Sequence, residues 1–94
     1  MKSSAIKFTP EAARLLSKLP PENKKMIKAG LKALAQSPDL GAELQEELSG
    51  FKSYKLKRYK VIYKLTEDNA IRIYFIGHRR DVYEQFHSLL QKFS

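Results

Sequence analysis

The hydrophobic pattern of the first 21 residues predicts a short strand followed by a helix. Ala5 to Phe8 is predicted as the strand. Thr9-Pro10-Glu11 marks a helix start, with a hydroxyl that can cap, a proline at the first helical position and an acid near the positive end of the dipole. The apolar positions that follow have helical spacing and are Ala12, Leu15, Leu16 and Leu19. Pro20-Pro21 ends this helix, because residues before proline avoid the helical region.

A second, longer helix is predicted from Glu22 to Gln36. Its apolar face consists of Met26, Ile27, Gly30, Leu31 and Leu34, and the lysines at 24, 25, 28 and 32 fall on its other faces. We expect Gly30 to be a point of close packing. Ser37-Pro38-Asp39 ends the helix. Leu40 to Gly50 is predicted as a polar connection that includes a turn of helix at Glu43 to Leu48.

The second half of the chain predicts three antiparallel strands and a final helix. The strands are expected at Phe51 to Leu56, Tyr59 to Leu65 and Ala70 to Ile76, and the helix at Val82 to Lys92. On the middle strand Tyr59, Val61, Tyr63 and Leu65 alternate with Lys60, Ile62 and Lys64. One face of this sheet can therefore pack on the helices, and we expect the other face to be open to solvent or a ligand.

These elements predict an α+β fold in a single domain that spans residues 1–94. An N-terminal strand precedes a two-helix hairpin, which packs on one face of an antiparallel β-meander, and a short helix ends the chain. The chain contains no cysteine, which excludes a disulfide framework and favours the reducing cytosol. No segment approaches the about 20 apolar residues of a membrane span, and no signal peptide is recognisable. We therefore expect a cytoplasmic protein with no membrane partner.

The charge of the chain indicates a polyanionic partner. Eighteen Lys and Arg against ten Asp and Glu give a net charge of +8. Residues 1–50 carry eight cations and six anions, whereas residues 51–94 carry ten cations and four anions, so the two halves differ as +2 against +6. The positive field is expected to come from the β-meander half.

Lysines cluster on the first two strands of the meander. Five cations and no acid lie between positions 52 and 60; they are Lys52, Lys55, Lys57, Arg58 and Lys60. If Tyr54 and Leu56 face the core, alternation turns Lys55 and Lys57 toward the exposed face that carries Lys60. Like charges that face each other across a strand pair cost stability unless an anion relieves them, which fits a phosphate backbone. The alternative is a solvated lysine-rich strand that protects an edge from aggregation.

A second cluster lies where the last strand leads into the final helix, with the sequence Gly77-His78-Arg79-Arg80-Asp81-Val82-Tyr83. Gly77 would permit a sharp exit from the strand. Arginine offers a planar fork to phosphate oxygens, tyrosine a face to an unpaired base, and histidine a group that exchanges protons near neutral pH. Alternatively, Arg79 pairs with Asp81 or Glu84, and Tyr83 only anchors the helix.

Two stretches carry a family resemblance, the strand Tyr59-Lys60-Val61-Ile62-Tyr63 and the ending Ile76-Gly77-His78-Arg79-Arg80-Asp81-Val82-Tyr83. Within residues 51–83 they resemble the RelE/ParE superfamily of toxins from prokaryotic type II toxin–antitoxin systems. The opening residues 6–12 are similar too, so the resemblance covers nearly the whole chain. The ending and the basic strand pair look more like the RelE side, which contains messenger-RNA endonucleases, than the ParE side, which contains gyrase poisons.

The resemblance also implies roles for individual residues. Lys55 occupies the position of a catalytic lysine, Lys60 that of a phosphate-stabilising arginine, Arg79 that of a catalytic arginine and Tyr83 that of a base-stacking tyrosine. His78 stands where other members have lysine and is a candidate acid or base. The further residues expected to bind RNA are Lys52, Lys57, Arg58 and Arg80.

Two departures from the family pattern concern this basic strand pair. Ser53 stands where a second strand lysine can occur. Lys57-Arg58 replaces the Gly-Asp that is often found at the hairpin turn, which would place Lys57 on the turn.

The implied activity is cleavage of messenger RNA in the ribosomal A site, silenced by an antitoxin. The 2′-hydroxyl attacks its own phosphate and leaves a 2′,3′-cyclic phosphate and a 5′-hydroxyl, so the resemblance implies neither a metal nor a cofactor. The expected partners are messenger RNA, the ribosome and an acidic, partly disordered antitoxin that covers the cationic face or displaces the C-terminal helix. The alternatives are a gyrase-inhibiting toxin and a non-catalytic member that only binds antitoxin or RNA.

Overall fold

The computed structural model describes residues 4–92, which form a five-stranded sheet, three α-helices and two 3-10 turns. In chain order they are β1 (Ala5–Phe8), α1 (Pro10–Ser17), α2 (Pro21–Gln36), the first 3-10 turn (Pro38–Leu40), β2 (Ala42–Glu43), the second 3-10 turn (Glu46–Leu48), β3 (Lys52–Leu56), β4 (Tyr59–Leu65), β5 (Ala70–His78) and α3 (Val82–Lys92). The strand order is β1-β5-β4-β3-β2, with β1 parallel to β5 and the other pairs antiparallel. The predicted α+β fold is confirmed.

Both helices of the N-terminal hairpin form for local reasons that the sequence shows. The Thr9 hydroxyl accepts a hydrogen bond from the backbone N–H of Ala12 at 3.2 Å, which caps α1. In α2, a Cβ atom at Gly30 would collide with the side chain of Leu56 on β3, so the expected close packing at this glycine is confirmed. The hairpin thereby lies directly against the sheet.

Hydrophobic side chains are buried on both faces of the sheet. On the face covered by α1 and α2, the strands contribute Val61, Tyr63, Ile71, Ile73 and Ile76. On the other face, α3 packs its Val82 and Phe86 against Phe51, Ile62 and Phe75. The expectation that this second face is open is therefore wrong for its middle part. Ile62 interrupts the row of lysines on β4, and the apolar surface that it forms with its neighbours accepts α3.

The connection from α2 to β3 is more ordered than expected, because it is tied to the sheet. Ala42 and Glu43 pair with Ser53 and Lys52, so a short strand occupies the start of the predicted helical turn. The helical turn itself covers only Glu46–Leu48. This correction has a non-local cause, since β2 exists only through its pairing with β3.

A buried tyrosine fixes the first part of this connection. The hydroxyl of Tyr63, which is fully buried, donates to the carbonyl of Pro38 at 2.8 Å and accepts the N–H of Gly41 at 3.1 Å. Burial raises the pKa of this hydroxyl, which keeps it in the donating form. The segment that carries β2 is thus held beside β3.

Gly77 has a different role from the predicted sharp exit. Strand β5 continues through it to His78. A Cβ atom at Gly77 would lie 3.2 Å from Cγ2 of Val82 and 3.2 Å from Oε1 of Gln85, closer than ordinary van der Waals contact. The absence of a side chain at this position therefore lets α3 approach the end of β5.

Within residues 4–92, no helix has both the length and the apolar character required to cross a membrane.

Candidate functional site

Two lysines face each other at the hairpin end of the sheet. Lys55 on β3 lies directly opposite Lys60 on β4, one pair before the β3–β4 turn. Lys55 is exposed and Lys60 is half-buried. In residues 4–92 the ion pairs join Lys7 to Asp68 and Arg14 to Glu11, and both are remote from this lysine pair. The two ammonium groups therefore form a local excess of positive charge that favours an anion.

Tyr83, in the first turn of α3, reaches over these strands and connects them. The Lys60 ammonium donates to the Tyr83 hydroxyl at 2.8 Å, and its nitrogen lies 4.6 Å from the centre of the Tyr83 ring. The hydroxyls of Tyr83 and Ser53 are 2.9 Å apart, and either can be the donor. Since Ser53 is buried, this contact also satisfies a polar group that water does not reach freely.

We call Ser53, Lys55, Lys60 and Tyr83 the lysine–tyrosine cluster. The four residues line one depression of about 300 Å³, whose remaining walls come from Leu40, Ala42 and Tyr54. Segment 40–42 thus forms part of the wall of the site. Its attachment to β3 therefore fixes the shape of the depression. Sequence reasoning noted Ser53 only as a departure from the family pattern. The alternation that places Ser53 and Lys55 on the same face of β3 was the signal that could have included it.

The hairpin turn and the segment before α3 place further cations at the same end of the sheet. Lys57 has φ of 57°, which confirms its place on the turn. The backbone N–H of Arg79 donates to the carbonyl of Arg58 at 2.7 Å and extends the pairing of β4 with β5 by one position. Arg79 follows His78, the last residue of β5, and lies in the turn before α3. Arg80 is exposed and lines a depression together with Arg58 and Arg79.

Two predicted site residues, His78 and Lys52, lie on the other face of the sheet from the cluster. His78 pairs with Tyr59, and the two ring centroids are 6.2 Å apart on the face covered by α1 and α2. Its Nδ1 accepts the backbone N–H of Arg80 at 3.4 Å. Lys52 pairs with Tyr63 on the same side and lines a separate depression near Glu43. The structure thus brings together Lys55, Lys60 and Tyr83, whereas Arg79 lines the depression that Arg58, His78 and Arg80 share.

The relationship to known proteins follows from sequence and fold together. A sequence model described as the ParE toxin of type II toxin-antitoxin systems, parDE, matches residues 6–83 of the chain. The chain belongs to this family. It is therefore a type II toxin of the RelE/ParE superfamily, as the sequence resemblance indicated. No curated protein matches the chain.

Solved toxin structures share the fold of this family member. A chain of the toxin–antitoxin complex RelBE2 from Mycobacterium tuberculosis is 28% identical with a TM-score of 0.77, over 86% of this chain and 97% of that chain. The isolated RelE toxin of E. coli is 18% identical with a TM-score of 0.69, over 94% and 99% of the two chains. The chromosomal ParDE system of P. aeruginosa is 21% identical with a TM-score of 0.62, over 81% and 96%. The last two similarities concern the fold alone.

Proposed function

We propose that this toxin is an endoribonuclease that cuts messenger RNA at the lysine–tyrosine cluster, acting on the ribosome. The observation that carries the proposal is the 2.8 Å contact between the Lys60 ammonium and the Tyr83 hydroxyl, directly beside Lys55. This arrangement supplies positive charge for a phosphate and an aromatic face for a base in one depression. The similarity in fold to RelE supports the same conclusion.

The reaction requires two proton movements around one phosphate. The 2′-hydroxyl attacks the adjacent phosphorus, the bond from phosphorus to the 5′-oxygen breaks, and the products are a 2′,3′-cyclic phosphate and a 5′-hydroxyl. Lys55 in its free-amine form is assigned to receive the proton of the 2′-hydroxyl, and it becomes an ammonium group as the oxygen attacks. Lys60 and Arg79 hold the phosphate oxygens as negative charge builds up on them.

The proton for the leaving 5′-oxygen is assigned to Lys60. Its ammonium group has three protons and donates one of them to Tyr83, so two remain for the substrate. The alternative donors that the sequence indicated are Arg79, a poor acid because arginine stays charged, and His78. Its ring lies beside Tyr59 on the other face of the sheet, away from the phosphate position between Lys55 and Lys60. We therefore assign His78 no role in the transfer of this proton.

Single-turnover cleavage of a short message on programmed ribosomes tests this proposal. Lys55→Ala and Lys60→Ala should each lower the rate constant by about 10²- to 10⁴-fold, the usual contribution of a proton-transferring group. Lys64→Ala is the matched control, because Lys64 lies on the same strand as Lys60 but rests over the ring of Phe51 instead. Rates of both cluster variants within threefold of the Lys64→Ala rate would contradict the proposal.

An antitoxin is the second partner that we propose. The similar RelBE2 structure is a toxin–antitoxin complex. The net charge of +8 on this chain favours an acidic, partly disordered partner that covers the cationic end of the sheet. Binding of such a partner over Lys55 would close the depression to RNA.

A second candidate function is favoured by the matching family, whose description is ParE toxin. A ParE-like toxin would inhibit DNA gyrase and leave messages intact. A supercoiling assay with purified gyrase separates the two functions, because the endoribonuclease should leave supercoiling unchanged.

A further inference from the structure

We propose that the chain has a second RNA site, a cleft on the other face of the sheet that binds one unpaired nucleotide. The residues that line this cleft, which we call the His78 cleft, are Asn23, Met26, Lys57, Arg58, Tyr59 and His78. Its volume of about 300 Å³ lies at the small end of the range for ligand sites. The inference rests on the proposed function in one respect, namely that RNA is the ligand.

The walls of the His78 cleft combine aromatic, apolar and amide groups. The rings of Tyr59 and His78 meet at 64°, and His78 is exposed. The Asn23 amide nitrogen donates to the Tyr59 hydroxyl at 3.0 Å, and the carbonyl oxygen of the same amide is an acceptor that suits the edge of a base. Met26 adds a polarizable thioether that suits contact with an aromatic ring. A flat heterocycle with hydrogen-bonding edges fits these walls.

Cations lie in the wall of the cleft and beside it. Arg58 and His78 also line an adjoining depression of about 350 Å³, whose other residues are Arg79 and Arg80. Backbone hydrogen bonds fix this segment, from Arg79 to Arg58 and from Arg80 to the His78 ring. Two of these guanidinium groups, those of Arg58 and Arg80, have no role at the scissile phosphate. Beside an aromatic wall they match a nucleotide, which carries a base and a phosphate next to each other.

The position of the cleft suggests how one RNA strand reaches both sites. Tyr59 and Lys60 are consecutive on β4, and so are Gly77 and His78 on β5, so each pair places neighbouring residues on opposite faces. Both sites lie at the end of the sheet that carries the turn between β3 and β4. The cations of this turn, Lys57 and Arg58, lie between the two sites. A single strand that passes over this turn can occupy the lysine–tyrosine cluster and the His78 cleft together.

Fluorescence anisotropy with a labelled 2′-O-methyl hexanucleotide tests this inference on the full chain. The methyl group blocks the attacking oxygen, so binding is measured without cleavage. We expect His78→Ala to weaken binding about tenfold, within the range for loss of a stacking side chain, and His78→Phe to stay within about twofold of the wild type. Arg58→Ala should lower the slope of log K against log salt by about 0.7, the contribution of one single-strand phosphate. Circular dichroism of each variant confirms folding.

Arg72→Ala is the matched control, because Arg72 is an exposed arginine of β5 at the opposite end of the strand. The inference is overturned if His78→Ala binds like the wild type, if His78→Phe is as weak as His78→Ala, or if Arg72→Ala weakens binding as much as Arg58→Ala. A competition with saturating pyrophosphate gives a further test. If pyrophosphate displaces the hexanucleotide from the wild type but not from His78→Ala, His78 belongs to a site for anions only, and the inference is overturned. The proposed function fails separately, if the wild type binds RNA in this way but leaves messages intact.

Discussion

The Tyr83 hydroxyl restricts a side chain that would otherwise be mobile. A lysine has four rotatable bonds, and fixing them costs up to about 2 kcal/mol of side-chain entropy. Lys60 is held by a hydrogen bond to this hydroxyl and by its position over the ring, while Ser53 holds the hydroxyl from the other side. The ammonium group is thus oriented before substrate arrives, which is the condition for effective electrostatic catalysis.

Removing only the hydroxyl of Tyr83 should therefore impair the site while the ring remains. In Tyr83→Phe, Lys60 and Ser53 both lose their partner, and we expect the single-turnover rate to fall about 10²-fold, as is typical for misplaced catalytic groups. The same cleavage assay on ribosomes measures it. Tyr74→Phe serves as control, because Tyr74 packs its ring near Phe51 outside the cluster. Equal rates for the two variants would show that the hydroxyl does not position Lys60.

Residue adjacency in the sequence was a poor guide to this site. His78 and Arg79 are neighbours, and both were predicted for catalysis, yet neither lines the depression of the lysine–tyrosine cluster, and the His78 ring packs beside Tyr59 on the other face of the sheet. Lys55 and Lys60 were correctly placed together, because the period of two and the short hairpin determine their pairing. Their link to Tyr83 depends on the docking of α3, which no local pattern of the sequence specifies.

At the scale of elements, α3 is both a cover for the core and the carrier of Tyr83. Its Phe86 is 1% exposed and lies 4.9 Å from the ring of Phe51 and 5.6 Å from that of Phe75. The helix start of α1 and the extent of α2 could be predicted because caps, prolines and periodicity are local. The strand β2 and the covered middle of the second face could not, because both depend on pairing or packing with distant residues.

Truncation of Phe86 should loosen α3 and, with it, the functional site. We expect Phe86→Ala to lower the free energy of unfolding by about 3–5 kcal/mol, the usual cost for a buried phenylalanine. Urea denaturation measures the change. Ser88→Ala on the exposed side of the same helix should stay within about 0.5 kcal/mol of the wild type. A small effect of Phe86→Ala would mean that α3 contributes little to the fold.

The β4–β5 turn gives the fold a sensitivity to acid. The Thr66 hydroxyl donates to the carboxylate of Asp68 and holds the pKa of that carboxyl below its usual value, with smaller contributions from the Asp68 backbone and Lys7. A carboxyl whose pKa falls on folding contributes stability above its unfolded pKa, near 4, and the contribution is lost as the pH falls through the folded pKa. The free energy of unfolding, measured with urea, should therefore differ less between pH 6 and pH 3 in Asp68→Asn than in the wild type. An unchanged difference would contradict this assignment.

At the scale of the whole molecule, charge and fold act together. Residues 51–94 contribute +6 of the net charge, and the structure places most of their cations around the β3–β4 end of the sheet. Such a field raises the encounter rate with RNA and makes affinity depend on salt. Family membership alone does not choose between RNA and gyrase as the target. The lysine pair Lys55 and Lys60, in which Tyr83 holds Lys60, is the feature of this chain that favours RNA.

The most direct test of that central claim is primer extension on a reporter message after brief induction of the chain. We expect discrete internal 5′ ends with the wild type and with Lys64→Ala, and none with Lys55→Ala or Tyr83→Phe at equal protein levels. Intact messages in wild-type cells whose growth has stopped would contradict the claim. So would an unchanged pattern of 5′ ends in the two cluster variants.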